Sequence, residues 1–305
     1  MATLIIWWRI DKMINQHPDY INDSDNAPIG VFDSGVGGLS VYRHLRQILP
    51  NERFIYYADT AHVPYGNKTG DEILLLTLQA VARLCKQGCK LIVIACNSAS
   101  AHALTTLRQR CSVPIVGLVP AVKPACAITK TKKIAVLATR ATLDGHLLNE
   151  VIGTIANPLG IQVHKHFESM LVPWVESGMP IDSQVANLLI EQVKLWADDG
   201  VDVIVLGCTH YPFFKQFLQT HIDDNHLNIT LVDSGVAIAE RVRSLLDMYQ
   251  ITAMTPKDNP LTFYASAFDE QLVQTVAGLI DDTPVFVGHD FLPQSTKPSM
   301  LCNRM

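Results

Sequence analysis

From Pro28 onward the chain alternates short, largely apolar runs with longer stretches in which apolar residues recur every three or four positions. Apolar runs bounded by Gly, Asn, Asp or Thr read as strands buried on both faces, and the 3.6-residue period between them reads as helices. The predicted strands are IGVFD, FIYYAD, LIVIA, VPIVG, KKIAVLA, IQVHK, VDVIVL, ITLVD, LTFYAS and TPVFVG. The predicted helices are GGLSVYRHLRQILP, EILLLTLQAVARLCKQ, SASAHALTTLRQR, PAVKPACAI, QVANLLIEQVKLWADD, VAIAERVRSLLDM and DEQLVQTVAGLI. In the first helix Val41, Leu45 and Ile48 share a face and Pro50 is the stop. Thr69 and Glu72 have capping-box spacing, and Gly88 suits a helix C-terminus. This β–α alternation implies an α/β fold with mostly parallel sheets covered on both faces.

Two segments, IGVFDSG and IAVLATRAT, each open a half, and each half later presents a strand that ends in cysteine. The Pro-rich GLVPAVKPA places a boundary near residues 120–130, and a second near 230 follows if the tail packs back on the first half. The expected organisation is an extension over 1–27, a first α/β domain over 28–122 plus 232–305, and a second over 123–231. Two similar α/β domains would then face each other across a central active-site cleft. Residues 1–27 have two Trp and a polar stretch without period, and Met13 is an alternative start.

Composition narrows the class. Hydrophobic residues make up 48% and charged residues 17%, enough for a sizeable core and unlike a disordered chain. A net charge of −5 argues against a nucleic-acid surface. No run reaches the roughly 18 apolar residues of a membrane span, and LIIWW is too short for a signal-peptide core. A cytoplasmic protein with reduced thiols is expected. Its seven cysteines are Cys85, Cys89, Cys96, Cys111, Cys126, Cys208 and Cys302. An odd number without a C-x-x-C pair makes a poor disulfide framework and a poor zinc site, so no metal is expected.

Two of these thiols stand apart. In LIVIACNSAS the apolar run ends at Cys96, and in VDVIVLGCTHYP, 112 residues later, it ends at Cys208. Ligands in open α/β sheets bind beyond the carboxyl ends of strands, so the pair suggests two acid/base groups facing one small substrate. A helix N-terminus after Cys96 favours thiolate and can pull it below the reference pKa of about 8.5. Asn97 and Ser98 are also ordinary helix caps. His210 can assist Cys208, form a Cys–His nucleophile, or pair with it on a metal. Asp33 ends VFDSGVGGLS, where Gly35, Gly37 and Gly38 permit close backbone approach. The rival there is a dinucleotide loop, but Ser40 stands in place of its third glycine and Glu52 is too near to be the ribose acid. Tyr65 and Gly66, after Asp59, lie on a loop that could touch substrate or be a plain turn. Glu176 in MLVPWVESG reads on its own as a solvated charge.

Together PIGVFDSGVGGLSV, YYADTAHVPYGNKT, IVIACNSASA, GLVPAV, LVPWVESG, VIVLGCTHYP and LVDSG resemble the glutamate racemase family, within the cofactor-independent aspartate/glutamate racemase superfamily. The likeness spans roughly residues 28–235. It implies an isomerase that needs no cofactor and interconverts L- and D-glutamate for peptidoglycan synthesis. It also implies a homodimer acting on a small molecule. By resemblance Cys96 serves the D-glutamate face and Cys208 the L-glutamate face. Asp33, His210 and Glu176 match the polar helpers, and Ser34, Tyr65, Gly66, Asn97, Ser98 and Thr209 match substrate-holding positions. Ser98 replaces a commoner Thr, and FYASAF replaces a usual Thr-Gly-Asp stretch. The competing functions are an aspartate or other amino-acid racemase, a hydrolase using Cys208 and His210, and an amino-acid-binding protein without activity.

Overall fold

The computed structural model describes residues 25–255 and 260–287. Residues 1–24, Cys302 and the last residue of TPVFVG lie outside the described residues. All ten predicted strands form: β1 (Ile29–Asp33), β2 (Phe54–Ala58), β3 (Leu91–Ile94), β4 (Ile115–Gly117), β5 (Lys133–Leu137), β6 (Gln162–His166), β7 (Val203–Leu206), β8 (Thr230–Val232), β9 (Leu261–Ala265) and β10 (Val285–Val287). They build two sheets, ordered β10-β9-β2-β1-β3-β4 and β6-β5-β7-β8. Every pairing in both is parallel. The fold is α/β, and the tail strands β9 and β10 extend the first sheet beside β2.

Strand order decides where chemistry can sit. β1 has β2 on one side and β3 on the other, and β5 is flanked in the same way by β6 and β7. The chain therefore leaves β1 and β5 at points where successive crossovers run in opposite directions, and a crevice opens beyond the strand ends there. Asp33 closes β1, aligned with Ala58 of β2. Ala95, just past β3, donates its N–H to Phe32 O at 2.7 Å. In the second sheet Gly207 donates to Leu137 O at 2.8 Å. The residues after each of these strands thus rise together at one edge.

Each sheet is covered on both faces, as its buried apolar central strands require. On one face of the first sheet Val31, Tyr56 and Phe263 pack with Leu45 and with Val242 and Leu246 of helix Gly235–Tyr249. On the other, Phe32, Ile92 and Ile94 pack with Leu78, Val81, Leu104 and Leu107, from helices Gly70–Lys86 and Asn97–Arg110. Helix Gly70–Lys86 carries the full capping box of Thr69 and Glu72. It ends as foreseen: Gly88 takes φ +72°, its N–H bonds Cys85 O, and Cys89 N–H bonds Leu84 O, the paired bonds of a Schellman cap.

Several helices escaped the sequence reading: Arg140–Asp144, His146–Val151, Leu171–Glu176 and Lys215–Asp224. Pro173 looks like a breaker, yet it sits in the first turn, where its missing N–H is not needed. Lys215–Asp224 follows a Tyr-Pro-Phe-Phe turn and buries only Leu218 and Ile222, a stripe too narrow to stand out.

At the far edge of the first sheet Lys90 and Glu52 form an ion pair at 2.7 Å, both side chains within 2% of complete burial. Lys90 Nζ also donates to Ile251 O at 2.6 Å, and Glu52 accepts the N–H of Ala253 at 2.8 Å. Glu52 is thus a structural acid, placed away from any ribose site. Removing one partner strands the other as a buried charge, so Lys90→Met should cost about 3–5 kcal/mol. Lys90→Met with Glu52→Leu should cost less than the two single changes added. Urea unfolding of the three variants measures this, and strict additivity would refute the coupling.

Candidate active site

The loop after β1 brings Asp33 to the seam between the sheets with no solvent exposure. One carboxylate oxygen accepts the Gly35 N–H at 2.7 Å, and the other accepts the Thr209 hydroxyl at 3.0 Å. Thr209 belongs to the loop after β7, so this bond joins the two halves. Burial raises the Asp33 pKa, offset in part by His210 and these two donors.

The glycines that follow are not a phosphate cradle. A Cβ on Gly37 would strike the His210 ring and come within 2.7 Å of Thr209 Oγ1. One on Gly38 would meet Asp33 Cβ at 2.8 Å and Ala95 O at 2.9 Å. The space above this turn is filled by the other half of the protein, which removes the dinucleotide reading. Ser40 is also engaged, its hydroxyl donating to Thr209 O at 2.7 Å.

Cys96 is itself the N-cap of helix Asn97–Arg110, its Sγ accepting the Ala99 N–H at 3.5 Å. Ser34 Oγ lies 3.6 Å from the same sulfur. The expectation that the helix end would depress this thiol is overturned. Burial, and next the nearby Asp33 carboxylate, push it up to about 12, against the smaller pull of the Ala99 N–H and Ser34. Asn97 and Ser98 are not caps either, since they occupy the first two helical positions. Asn97 Oδ1 is buried without a hydrogen-bond partner among the described residues, and Ser98 Oγ lies 2.9 Å from Thr139 Oγ1.

Cys208 follows β7, and its Sγ lies 3.8 Å from His210 Nδ1. His210 Nε2 reaches Glu176 Oε1 at 3.0 Å. Burial opposes a charge on this imidazole, but the hydrogen bonds to Cys208 and Glu176 outweigh it and raise its pKa well above the ordinary value. The two ring nitrogens of His210 thus each face one partner, an arrangement that favours the protonated ring. Glu176 is no solvated charge: it ends helix Leu171–Glu176, and a Cβ on Gly35 would come within 2.7 Å of its Oε1. A metal reading for Cys208 and His210 lacks further donors, because among the described residues no three His, Cys, Asp or Glu are arranged to hold an ion.

Tyr65 and Gly66 wall the same region from the first half. The Tyr65 hydroxyl donates to Asp59 Oδ2 at 2.6 Å, and Gly66 abuts Thr139, 2.8 Å from where its Cβ would be. Cys208 is close enough to Cys96 that a charge on it adds to the upward push on the Cys96 thiol. The residues predicted for the site thus lie at the seam, whereas Glu52 does not. Thr139 was missed, although it follows β5 at the second strand-order reversal, where the rule that flagged the cysteines applies equally.

Two open spaces adjoin the site. A cavity of about 10 Å³ is bordered by Ser40, Asn97, Cys208, Thr209 and Ser234. A wider one, about 450 Å³, opens beside Glu176 between Val36, Val63, Pro173 and the tail residues Leu272 and Thr275.

The sequence model of the Asp/Glu/hydantoin racemases matches residues 29–242. The chain belongs to that family. A glutamate racemase of Deinococcus radiodurans is 48% identical over 219 residues, 72% of this chain and 74% of that protein. Among solved structures, a glutamate racemase isoform from Bacillus anthracis superposes with a TM-score of 0.77 at 25% identity, covering 87% of this chain and 97% of that one. The glutamate racemase of Francisella tularensis in complex with D-glutamate gives 0.74 at 28% identity, covering 86% and 96%. As a member of this racemase family the chain is an isomerase. No helix among its described residues is long and apolar enough to cross a membrane.

In this racemase the Glu176 carboxylate helps hold the proton on His210. Glu176→Gln removes that negative charge, so the His210 pKa should fall toward the ordinary imidazole range. A histidine ring titration followed by NMR reports the shift, and an unchanged midpoint would show that Glu176 does not support the imidazolium.

Proposed function

We propose that this racemase interconverts L- and D-glutamate through two thiols, without a cofactor, and so supplies D-glutamate for peptidoglycan synthesis. The observation that carries the reading is the placement of Cys96 and Cys208 at strand ends of opposite sheets, each with its own polar partners. Asp33 and Ser34 attend Cys96; His210 and Glu176 attend Cys208.

The α-proton of an amino acid is a very weak acid, and inversion needs one group to remove it and another to protonate the opposite face. In the L-to-D direction Cys208 takes the proton, with the His210 imidazolium beside its sulfur stabilising the thiolate that starts the step. Cys96, held as a thiol by burial and by Asp33, gives its proton to the other face. In the reverse direction Cys96 must begin as thiolate, and the substrate ammonium provides the positive charge that its surroundings lack. Charge developing on the substrate is met by fixed donors in a site closed to water, where they act most strongly. We assign substrate contacts to Ser34, Tyr65, Gly66, Asn97, Ser98, Thr209 and His210. The unpartnered Oδ1 of Asn97 supports a place for the substrate ammonium.

We further read the working enzyme as a cytoplasmic homodimer. Leu188 and Leu195, 46% and 62% exposed and two turns apart on helix Gln184–Asp198, support that reading as apolar contacts for a second copy.

In deuterated water L-glutamate should racemise without added cofactor, with deuterium entering at the α-carbon. Exchange seen with L-aspartate and not with glutamate would overturn the substrate assignment. Cys96→Ser and Cys208→Ser should each lose roughly 10²- to 10⁴-fold in kcat, the usual range for an acid/base group. They should also shift the primary deuterium isotope effects of L- and D-glutamate in opposite senses. A fully active Cys96→Ser enzyme would favour Cys–His hydrolase chemistry instead.

A further inference from the structure

We infer that Ser40 is a positioning residue for the Cys208 half of the reaction, fixing the turn Cys208–Thr209–His210 from the opposite sheet. Ser40 lies in the first turn of helix Leu39–Ile48 and is 6% exposed. A serine hydroxyl there commonly bonds its own backbone. This one instead donates to Thr209 O at 2.7 Å, across 169 residues of sequence.

Thr209 is therefore held at two points by the first half: its carbonyl by Ser40, and its hydroxyl by Asp33 Oδ2 at 3.0 Å. Gly37 makes a third contact, lying against both the His210 ring and Thr209 Oγ1 where a side chain would not fit. The residue so clamped lies between Cys208 and His210 in the chain, and their side chains meet at 3.8 Å. Its peptide planes set the direction of both side chains. A glycine at position 40, as a dinucleotide fingerprint would have it, could not make this bond.

A reacting group displaced by about 1 Å can lose on the order of 100-fold in rate. Ser40→Ala should therefore lower kcat roughly 10- to 100-fold with a much smaller change in KM. Ser40→Thr keeps the hydroxyl and should restore most of the rate. A purely structural role could produce a rate loss, so the deciding readout is isotopic. Slowing only the Cys208 step makes proton removal from L-glutamate more rate-limiting. The primary deuterium isotope effect on kcat/KM should then rise for α-deuterated L-glutamate and fall for D-glutamate.

This prediction rests on the assignment of Cys208 to the L-glutamate face, so Cys208→Ser is measured alongside. If Cys208→Ser lacks the asymmetry, the face assignment fails. If Cys208→Ser shows it while Ser40→Ala leaves both isotope effects unchanged or moves them together, the role of Ser40 is overturned. Gly37→Ala presses on the same turn and should give the same asymmetry. It decides the question if Ser40→Ala does not fold, and equal shifts for both enantiomers would then refute the proposal.

Discussion

The hydrogen bond from the Thr209 hydroxyl to Asp33 joins two sheets that share no strand. Asp33 has no access to water, and a carboxylate in that position is tolerated only when its oxygens find donors. One donor is local, the Gly35 N–H; the other must come from across the seam. Docking of the second half is thus part of what makes the first half's buried acid acceptable. The same contact brings the loop after β7 over the glycines after β1, and the rest of the site follows from that superposition.

The two thiols end up in unlike surroundings. Cys96 is buried beside a carboxylate that pushes its pKa up, whereas Cys208 lies beside an imidazole whose pKa Glu176 helps to raise. Helix N-termini are often credited with activating cysteines. Here the Ala99 N–H acts in that direction and is outweighed, because a dry site weakens every charged form that lacks a counterion. The counterion missing at Cys96 is one that an amino-acid substrate carries with it.

Much of this was legible in the chain. Parallel strands buried on both faces leave a plain signal of consecutive apolar residues, as in β1, β3 and β7, while the edge strand β6, Gln162–His166, carries a weaker one. Their C-terminal residues then marked Asp33, Cys96 and Cys208 as candidates. What failed were inferences from residue type at a turn. Asn97 and Ser98 are good caps by type, yet Cys96 takes the cap, because the first helical turn is set by where β3 ends. The glycines after Asp33 left a dinucleotide loop as a rival that Ser40 and Glu52 spoke against, and what approaches Gly37 is His210 and Thr209. Glu176 looked solvated, since a contact with a residue 34 positions away leaves no mark on local sequence. Thr139 went unnoticed because a threonine after a strand is common, and only the strand order reveals that β5 is a reversal point.

The chain passes between the sheets twice, outward after β4 and back after β8, and the Ser234 hydroxyl donates to Val119 O at 2.8 Å where the passages meet. Two adjacent strands of chain fastened to each other behave as a door hinge. They allow the halves to swing apart about one axis and resist sliding or twisting. For a site divided between the halves, this limits breathing to a change in the gap. Swinging about that axis would alter the gap between the halves and leave the lateral register of the two sulfurs in place.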